Sequence, residues 1–420
     1  MKEKLKWFIP LGSLMGLGLG IVVGLLTHAT SSFVLRGLIP YAELAAKIWI
    51  VLLLVIALPL VVIHLFGSIM RLASTRLGGK LVFYGLLVHV ILLTTCTLLS
   101  IIISYAITSD LNLKLLGFVA SPFQTDDRSA VQHLINYLGI MQRTVAQLIV
   151  PVMVFVVLFS IGVFKVQRVK QRLVVLAKTW SQKIFSVVNL VFYMLPFAVA
   201  CLTFVMVSKN GMSLGGIAGF YVLGVCGILV VAILFLFGVA HIAGGTSVLS
   251  FLRAIFPAQL VAFSTCSSLA CLPALLVSAR KLGVSSTTAG ITIPFFVSFF
   301  RINLMVANPF SFFLLSSLYG LPVDATNLLS FIALMMVTSF ASPGLPQMGN
   351  VYSLPVFLAA GIPLEGVLVL KALDAIPDVF KTILNVTEVG VVSSIIMRWD
   401  KEGSLSQQTN LSRVHSETSL

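Results

Sequence analysis

The chain has 420 residues, of which 59% are hydrophobic and only 10% are charged. A water-soluble domain carries about 25% charged residues, so this composition excludes an ordinary soluble protein. The formal net charge of +14 would suit a nucleic-acid-binding protein, but the basic residues are spread over short connections between apolar segments. The sequence therefore predicts a polytopic membrane protein with no nucleic-acid partner.

Six long apolar segments occupy the first part of the chain, at about 8–26, 45–66, 81–107, 144–164, 184–207 and 213–240. Most of them approach or exceed the roughly 20 residues that a helix needs to cross a bilayer. Basic residues recur in every second connection, at the N-terminus and in 67–80 and 165–183. Because cytoplasmic loops are enriched in lysine and arginine, we expect these three segments to be cytoplasmic. A cleaved signal peptide is the alternative interpretation of the first apolar segment.

Shorter, interrupted apolar segments follow. Residues 245–283 and 328–362 each contain two apolar arms around a centre rich in small or Gly/Pro residues. Non-helical backbone at membrane depth persists only where protein or a water-filled cavity satisfies it, so we expect two re-entrant helical hairpins. Each hairpin precedes a longer span, 288–316 and 363–397, and this order predicts an inverted repeat of the kind that surrounds a transporter's binding site. Two kinked spans in a structural bundle are the alternative.

These segments predict an all-α polytopic membrane protein with about eight transmembrane helices, two re-entrant hairpins and an inverted repeat in its C-terminal half. We expect residues 1–240 to form a six-span N-terminal part that supplies a scaffold and part of the core. Residues 241–398 would form the transport core, and 399–420 a disordered cytoplasmic tail.

The segment DAIPDVFKTILN places five polar side chains in an otherwise apolar region, at Asp374, Asp378, Lys381, Thr382 and Asn385. Their spacing of i, i+4, i+7, i+8 and i+11 puts them on one helical face, and the proline within the segment predicts a kink or an unwound turn. A charge near the bilayer centre costs roughly 2.5–3.5 kcal/mol on insertion scales. We therefore interpret the stripe as lining a ligand site. Mutual neutralisation of Asp378 and Lys381 is the alternative, but it does not explain the other three residues.

This stripe and its continuation NVTE resemble the last transmembrane helix of the dicarboxylate/amino acid:cation symporters, the family of the glutamate-transporter homologues. The segment STCSSLACLP at 264–273 resembles that family's first hairpin, and GLPQMG at 344–349 with GIPLEG at 361–366 resembles its second. The resemblance covers the architecture of the whole chain and roughly residues 245–395 in sequence. It implies cation-coupled import of an acidic amino acid or dicarboxylate by an elevator-type homotrimer. The location would be a bacterial inner membrane, with both termini in the cytoplasm.

The resemblance also implies roles for the stripe. Asp378 matches the aspartate that binds the substrate's amino group, and Lys381 stands where an arginine usually holds its side-chain carboxylate. Thr382 and Asn385 match residues that touch the amino and backbone carboxylate groups. A lysine replaces a bidentate fork by a mobile point charge, so a neutral or differently shaped amino acid is the alternative substrate.

Two further groups of residues follow from the hairpins. Ser267 and Ser268 lie at the centre of the first hairpin, where hydroxyls and backbone N–H groups would receive a carboxylate. The resemblance implies that the second hairpin is the extracellular gate, with Gly344, Pro346 and Gly349 as its gate residues.

The cation sites depart from the family pattern. The family's Asn-Met-Asp-Gly-Thr signature reads NLMVA here, so Asn303 is retained while Met305 replaces an acidic sodium ligand. Val389 stands where the last helix usually carries another sodium-binding aspartate. Methionine and valine side chains supply no oxygen, which weakens the case for sodium coupling. Backbone carbonyls could still build one site for a bound sodium, and we expect no cofactor.

Besides Asn303, we consider Arg301, Asp374 and His89 as candidates to hold or replace the coupling ion. Arg301 would act as a fixed cation with Asp374 as its partner, or else lie near an interface and extend its charge to water. His89 and Glu388 are candidate protonatable groups, although a lone interior histidine is often only structural. We expect transport to depend less on sodium than in typical relatives, through proton coupling or exchange.

Other functional classes receive little support. The two aspartates of the stripe share one helix, and no metal-ligand cluster or Ser/His/Asp arrangement is evident, so we expect no enzymatic activity. The alternatives to a symporter are a sodium-independent exchanger of a related or neutral amino acid and a transport-like receptor or channel.

Overall fold

The computed structural model describes residues 2–30, 33–74, 79–109, 130–164, 167–210, 213–299, 301–342, 344 and 348–417. Over these ranges the chain forms fifteen α-helices and no strand, which confirms the predicted all-α class. Helices α1 to α7 are Lys2–Thr30, Phe33–Ser74, Gly79–Ser109, Ala130–Phe164, Gln167–Tyr193, Leu195–Asn210 and Ser213–Ile242. Helices α8 to α15 are Val248–Thr265, Leu272–Lys281, Ser286–Phe299, Ile302–Tyr319, Ala325–Ala341, Met348–Ala359, Leu364–Ala372 and Ala375–Glu417.

Six stretches within the described residues are long and apolar enough to cross a membrane: Val34–Gly67, Phe83–Ser109, Gly216–Ile242, Val248–Thr265, Thr288–Tyr319 and Ala375–Trp399. Large apolar side chains on the outer surface, such as Leu223 and Ile242, are 75% and 79% exposed. An outer surface of this kind is suited to lipid and not to water. The chain is therefore a multi-pass membrane protein, as its composition predicts.

Helix α1 lies unusually close to α6 because glycines recur every fourth residue along the contacting face. A Cβ atom at Gly16 or Gly20 would collide with the backbone carbonyls of Pro196 and Ala200. Small residues at this spacing allow helix backbones to approach within a membrane. Helix α2 packs against α4, α5 and α6. Helices α1, α2, α4, α5 and α6 are called the α2 group below.

A second set of helices surrounds α15. Helix α15 packs against α3, α7, α8, α9, α10 and α11, and these seven helices are called the α15 group. Helices α11 and α15 are buried over most of their membrane-length parts, so their polar side chains face protein and not lipid. Helices α12 and α13 pack on α2, and α13 also contacts α4, so this helix pair connects the two groups.

Several helices are interrupted in or beside the α15 group, so that helix termini lie there. Helix α8 ends where Cys266 adopts a left-handed conformation with φ 48°, and residues 266–271, the first tip, lead into α9. Residues 342–347 form the second tip between α12 and α13, of which Ser342 and Gly344 are described; Pro346 lies outside the described residues. Helices α10 and α11 are separated at residues 300–301, and α14 and α15 at residues 373–374.

The last helix continues as far as Glu417. A disordered cytoplasmic tail over residues 399–420 stays a prediction. The division of the chain into domains stays a prediction.

Candidate functional site

A small polar cavity lies where the two tips, the start of α11 and the start of α15 meet. Its volume is about 20 Å³, which is room for roughly one or two water molecules. It is called the tip cavity below. The structure brings eight of the residues singled out from the sequence to its wall: Ser268, Arg301, Asn303, Gly344, Gly349, Asp378, Thr382 and Asn385.

The two tips are joined through one backbone carbonyl. The oxygen of Gly344 accepts a hydrogen bond from the hydroxyl of Ser267 at 2.9 Å and another from the amide of Leu269 at 3.2 Å. A Cβ atom on Gly344 would overlap the guanidinium of Arg301 and approach the Leu269 side chain. Glycine is therefore required here for the close approach of the second tip. Ser267 supports this junction beside the cavity, whereas Ser268 lines the cavity itself.

The start of α15 carries the polar stripe into this region. Pro377 is in the first turn of α15, where its missing N–H leaves no intrahelical bond unmade, so the predicted disruption takes the form of a new helix start. Asp378 and Thr382 line the tip cavity, and the Thr382 hydroxyl donates to the Asp378 carbonyl at 2.8 Å. The side-chain oxygen of Asn385 accepts the backbone N–H of Asn303 at 3.1 Å.

This contact from Asn385 acts as a cap for another helix. Asn303 is in the first turn of α11, where backbone N–H groups have no partner within their own helix, and an amide oxygen from α15 satisfies one of them. The side-chain oxygen of Asn303 is buried and has no hydrogen-bond partner among the described residues. It is available as an oxygen ligand for a hard cation such as sodium.

Lys381 points away from the wall of the tip cavity, to Asp374. Its ammonium donates to Asp374 Oδ2 at 2.6 Å, so the neutralising partner is Asp374 and not Asp378, which the i, i+3 spacing suggested. Side chains in a helix lean toward its N-terminus, and seven residues bring two positions almost into line on one face. Both properties favour the observed pair.

Asp374 is the centre of a buried ionic cluster. Tyr221 donates to its Oδ1 at 2.7 Å, and the ammonium of Lys371 lies 3.6 Å from Oδ2. Lys371 also donates to the side-chain oxygen of Asn308 at 2.8 Å. Sequence reasoning missed Tyr221, Lys371 and Asn308. A lysine inside the apolar segment GVLVLKALDA was the available signal for Lys371.

Arg301 is buried at 3% exposure and does not extend to an interface. Its guanidinium donates to the carbonyls of Val297 at 2.9 Å and Ser342 at 3.4 Å. It therefore joins the end of α10 to the start of the second tip. The suggested pairing with Asp374 is wrong, because lysines and a tyrosine hold that carboxylate.

His89 lies apart from the tip cavity and contacts Glu388. Its Nδ1 is 2.5 Å from Glu388 Oε1, and the two side chains are 0% and 1% exposed. Both residues were candidate protonatable groups in the sequence, and the packing of α3 on α15 brings their side chains together.

Comparison with known proteins agrees with this architecture. The model of the sodium:dicarboxylate symporter family matches residues 9–399. The chain is 24% identical over 416 residues to the proton/sodium-glutamate symport protein of Bacillus subtilis (strain 168), covering 95% of this chain and 94% of the relative. It is also 24% identical over 414 residues to the proton/glutamate-aspartate symporter of Escherichia coli (strain K12), covering 95% and 94%. Because the family match spans nearly the whole sequence, the chain belongs to the sodium:dicarboxylate symporter family.

Proposed function

We propose that the protein is a secondary transporter that imports an acidic amino acid or a dicarboxylate, driven by a coupled cation, across a bacterial plasma membrane. The relatives named above are glutamate or glutamate-aspartate symporters, and the family is one of transporters and not of enzymes. The observation that carries the proposal is the tip cavity, because one small space collects an aspartate, an arginine, hydroxyls and amides at the junction of interrupted helices.

Each part of an acidic amino acid has a counterpart in this wall. Asp378 would accept the substrate's amino group in charge-assisted hydrogen bonds, next to Thr382. Ser268 and the amides of the first tip would receive the backbone carboxylate, with Asn385 opposite. Arg301 contributes a permanent positive charge to the same wall.

Lys381 would bind the substrate's second carboxylate by turning from Asp374 toward the cavity. Two ammonium groups share the Asp374 carboxylate, at 2.6 Å and 3.6 Å. Lys371 would therefore keep Asp374 neutralised when Lys381 leaves. The flexible four-carbon stem of a lysine suits such a movement better than the planar fork of an arginine.

The mechanism we propose is an elevator with a gate. Helices α12 and α13 have 17 and 12 residues, which corresponds to roughly 26 Å and 18 Å at 1.5 Å per residue. Both are shorter than the ~30 Å hydrocarbon core, which supports a re-entrant hairpin, and the α8–α9 pair would form the other hairpin of an inverted repeat. The whole chain would have about eight transmembrane helices besides these two hairpins. Residues 241–398, with the hairpins and the two later spans, would form a core that moves against the α2 group.

The second tip would be the extracellular gate. The tip cavity is far smaller than an amino acid, so substrate entry requires the two tips to separate at the contact between Gly344 and Ser267. Gly349 and Pro346 belong to the same gate in this proposal. Basic residues in alternate connections favour cytoplasmic termini, and we expect a homotrimer.

Uptake into proteoliposomes tests this function. Radiolabelled L-glutamate, L-aspartate and succinate would be offered under an imposed inward sodium gradient or an inward proton gradient. We expect at least one of them to accumulate above its equilibrium level. Binding without accumulation would indicate a receptor, uptake only into vesicles preloaded with substrate would indicate an exchanger, and neither binding nor uptake would overturn the proposal.

A further inference from the structure

We propose that a pocket between α2, α4 and α5 binds an anionic phospholipid of the cytoplasmic leaflet, with one acyl chain in the pocket and the headgroup at basic side chains of α5. The pocket has a volume of about 240 Å³ and is called the α5 pocket below. It belongs to the α2 group and is separate from the tip cavity. The proposal therefore goes beyond the proposed function and does not depend on which substrate is transported.

The wall of the α5 pocket suits a hydrocarbon chain. Its described lining residues are all hydrophobic, among them Phe66 of α2, Phe159 of α4, and Ala177 and Trp180 of α5. An apolar cavity of roughly 150 Å³ stays dry and binds benzene, so the larger α5 pocket has room for part of an acyl chain. Phe159 and Trp180 are also exposed on the outer surface. A lipid chain can therefore enter the pocket sideways from the bilayer.

The α5 pocket lies near one end of the membrane-length part of α2. Val62 and Phe66 of its wall belong to the last two turns of the stretch Val34–Gly67. Between them, His64 Nε2 lies 2.7 Å from Ser181 Oγ and joins α2 to α5. The basic residues before and along α5 favour the cytoplasmic side for this end. The pocket is therefore at the level of the headgroups and upper acyl chains of that leaflet.

Basic residues surround the α5 pocket, and no acidic residue is near them in sequence. The chain has no aspartate or glutamate between Asp127 and Asp324, a range that includes α4, α5 and α6. Arg172 and Lys183 are exposed on α5, and the ammonium of Lys183 lies 5.4 Å from the centre of the Trp180 ring. The basic residues at and before this helix are Lys165, Arg168, Lys170, Arg172, Lys178 and Lys183.

An anionic headgroup supplies the charge that these helices lack. A charged side chain at membrane depth is costly unless it has a partner or reaches water. Clusters of four to eight lysines and arginines on an amphipathic helix, and basic pockets between helices on the cytoplasmic side, bind anionic lipid headgroups. A phospholipid with a net negative charge therefore matches both the hydrophobic wall and the basic side chains beside it.

The same charges argue against a second copy of the chain as the occupant. Two copies that met through this face would bring α4 and α5 of both copies together. Neither helix contains an acidic residue, and α5 is strongly basic. Like charges repel each other more strongly as water is excluded, so a lipid is the better partner for this face.

Quenching of Trp180 fluorescence tests the proposal, because this ring lines the α5 pocket. The full-length protein would be reconstituted into phosphatidylcholine vesicles with a minor share of either brominated phosphatidylglycerol or brominated phosphatidylcholine. Bromine on the acyl chains quenches tryptophan on contact, and the difference between wild type and Trp180→Phe isolates the signal of Trp180. We expect the quenching curves to give a relative affinity roughly 10- to 30-fold higher for phosphatidylglycerol, as two basic side chains at the headgroup would produce.

Filling the α5 pocket should remove this preferential quenching. Ala177→Phe places a ring inside the wall and excludes the acyl chain without changing the charge. Val175→Phe is the matched control, because it adds the same ring at an exposed position of α5 outside the wall. The control should keep the preference of the wild type.

Removing the headgroup partners should act separately from filling the pocket. Arg172→Gln combined with Lys183→Gln should lower the preference for phosphatidylglycerol roughly 10- to 30-fold. Arg280→Gln combined with Lys281→Gln removes the same charge from exposed positions of α9 and should leave the preference unchanged.

Three results would overturn the proposal: equal quenching by both lipids, equal loss in Ala177→Phe and Val175→Phe, or equal loss in the two glutamine pairs. Absence of quenching by either lipid would also overturn it. Disulfide-linked copies formed through Phe155→Cys, an exposed position of the wall, would then identify a second copy as the occupant. None of these results bears on the proposed function, because no transport is measured.

Discussion

The ammonium of Lys381 lies 2.6 Å from Asp374, seven residues earlier in the polar stripe. Lys371 lies 3.6 Å from the same oxygen, so one carboxylate is shared by two lysines in a region without lipid exposure. With all three groups ionised the cluster has one excess positive charge. An excess positive charge next to the tip cavity would favour anionic substrates. Until a substrate arrives, Lys381 stays paired with the Asp374 carboxylate.

Lys381→Ala should remove the preference for a second carboxylate. Loss of a charge-assisted contact costs roughly 1.5–3 kcal/mol, so the affinity for L-glutamate should fall about 10- to 100-fold, while that for L-glutamine changes little. Competition against labelled L-aspartate uptake measures this. Lys381→Arg is the control and should retain acidic selectivity. Equal competition by glutamate in the alanine variant and the wild type would contradict the role.

Asp378→Asn should separate amino acids from dicarboxylates. The substitution keeps the shape of a residue in the cavity wall but removes the negative charge that would receive an amino group under the proposed function. Binding of L-aspartate should weaken about 10- to 100-fold, whereas succinate, which has no amino group, should lose much less. Equilibrium binding of both compounds to the purified variant gives the comparison, and equal losses would argue against an amino-group contact.

Asp374→Asn should destabilise the protein strongly, because it leaves Lys371 and Lys381 buried without their shared carboxylate. Breaking a buried pair costs roughly 3–5 kcal/mol. Tyr221→Phe removes only the hydroxyl that donates to Asp374, and it should cost roughly 1.5–3 kcal/mol. Thermal unfolding in detergent would show a larger fall for the asparagine variant, and the opposite order would contradict the cluster as described.

Gly344→Ala should slow uptake more than Gly349→Ala. A Cβ atom at Gly344 overlaps the Arg301 guanidinium, whereas at Gly349 the nearest atom is the flexible end of Leu304 at 3.1 Å. The first substitution hinders closure of the second tip, and the second requires only a small adjustment. Initial uptake rates at saturating substrate would measure the difference. Equal rates for both variants would mean that the tips do not need this close contact.

The class of the fold and much of the tip cavity could be predicted from local patterns. The stripe at Asp378, Thr382 and Asn385 follows from helical spacing, and the proline before it indicated an interruption. The basic segment expected as the 165–183 loop is helical from Gln167 to Tyr193, since charge distribution predicts the side of the membrane but not backbone conformation. Lysine and arginine are good helix formers, so nothing local prevented a helix.

Pairings between distant residues could not be predicted. His89 and Glu388 are 299 positions apart, and only the packing of α3 on α15 brings them together. The partners of Asp374 could not be predicted either, because Tyr221 is on α7, far away in sequence. Arg301, the expected partner, donates to backbone carbonyls instead. Charge and spacing identified which residues require partners, and tertiary packing decides which partners they have.

Under the proposed function, the shared carbonyl of Gly344 would make substrate binding an exchange of hydrogen-bond acceptors. Ser267 and Leu269 donate to this oxygen, and hydroxyls and amides of the first tip are the donors that a carboxylate would need. An arriving carboxylate would displace a neutral acceptor that belongs to the second tip, the proposed gate. Hydrogen bonds to a charged acceptor are roughly twice as strong as those to a neutral one, so the exchange favours the substrate and releases the second tip in the same step.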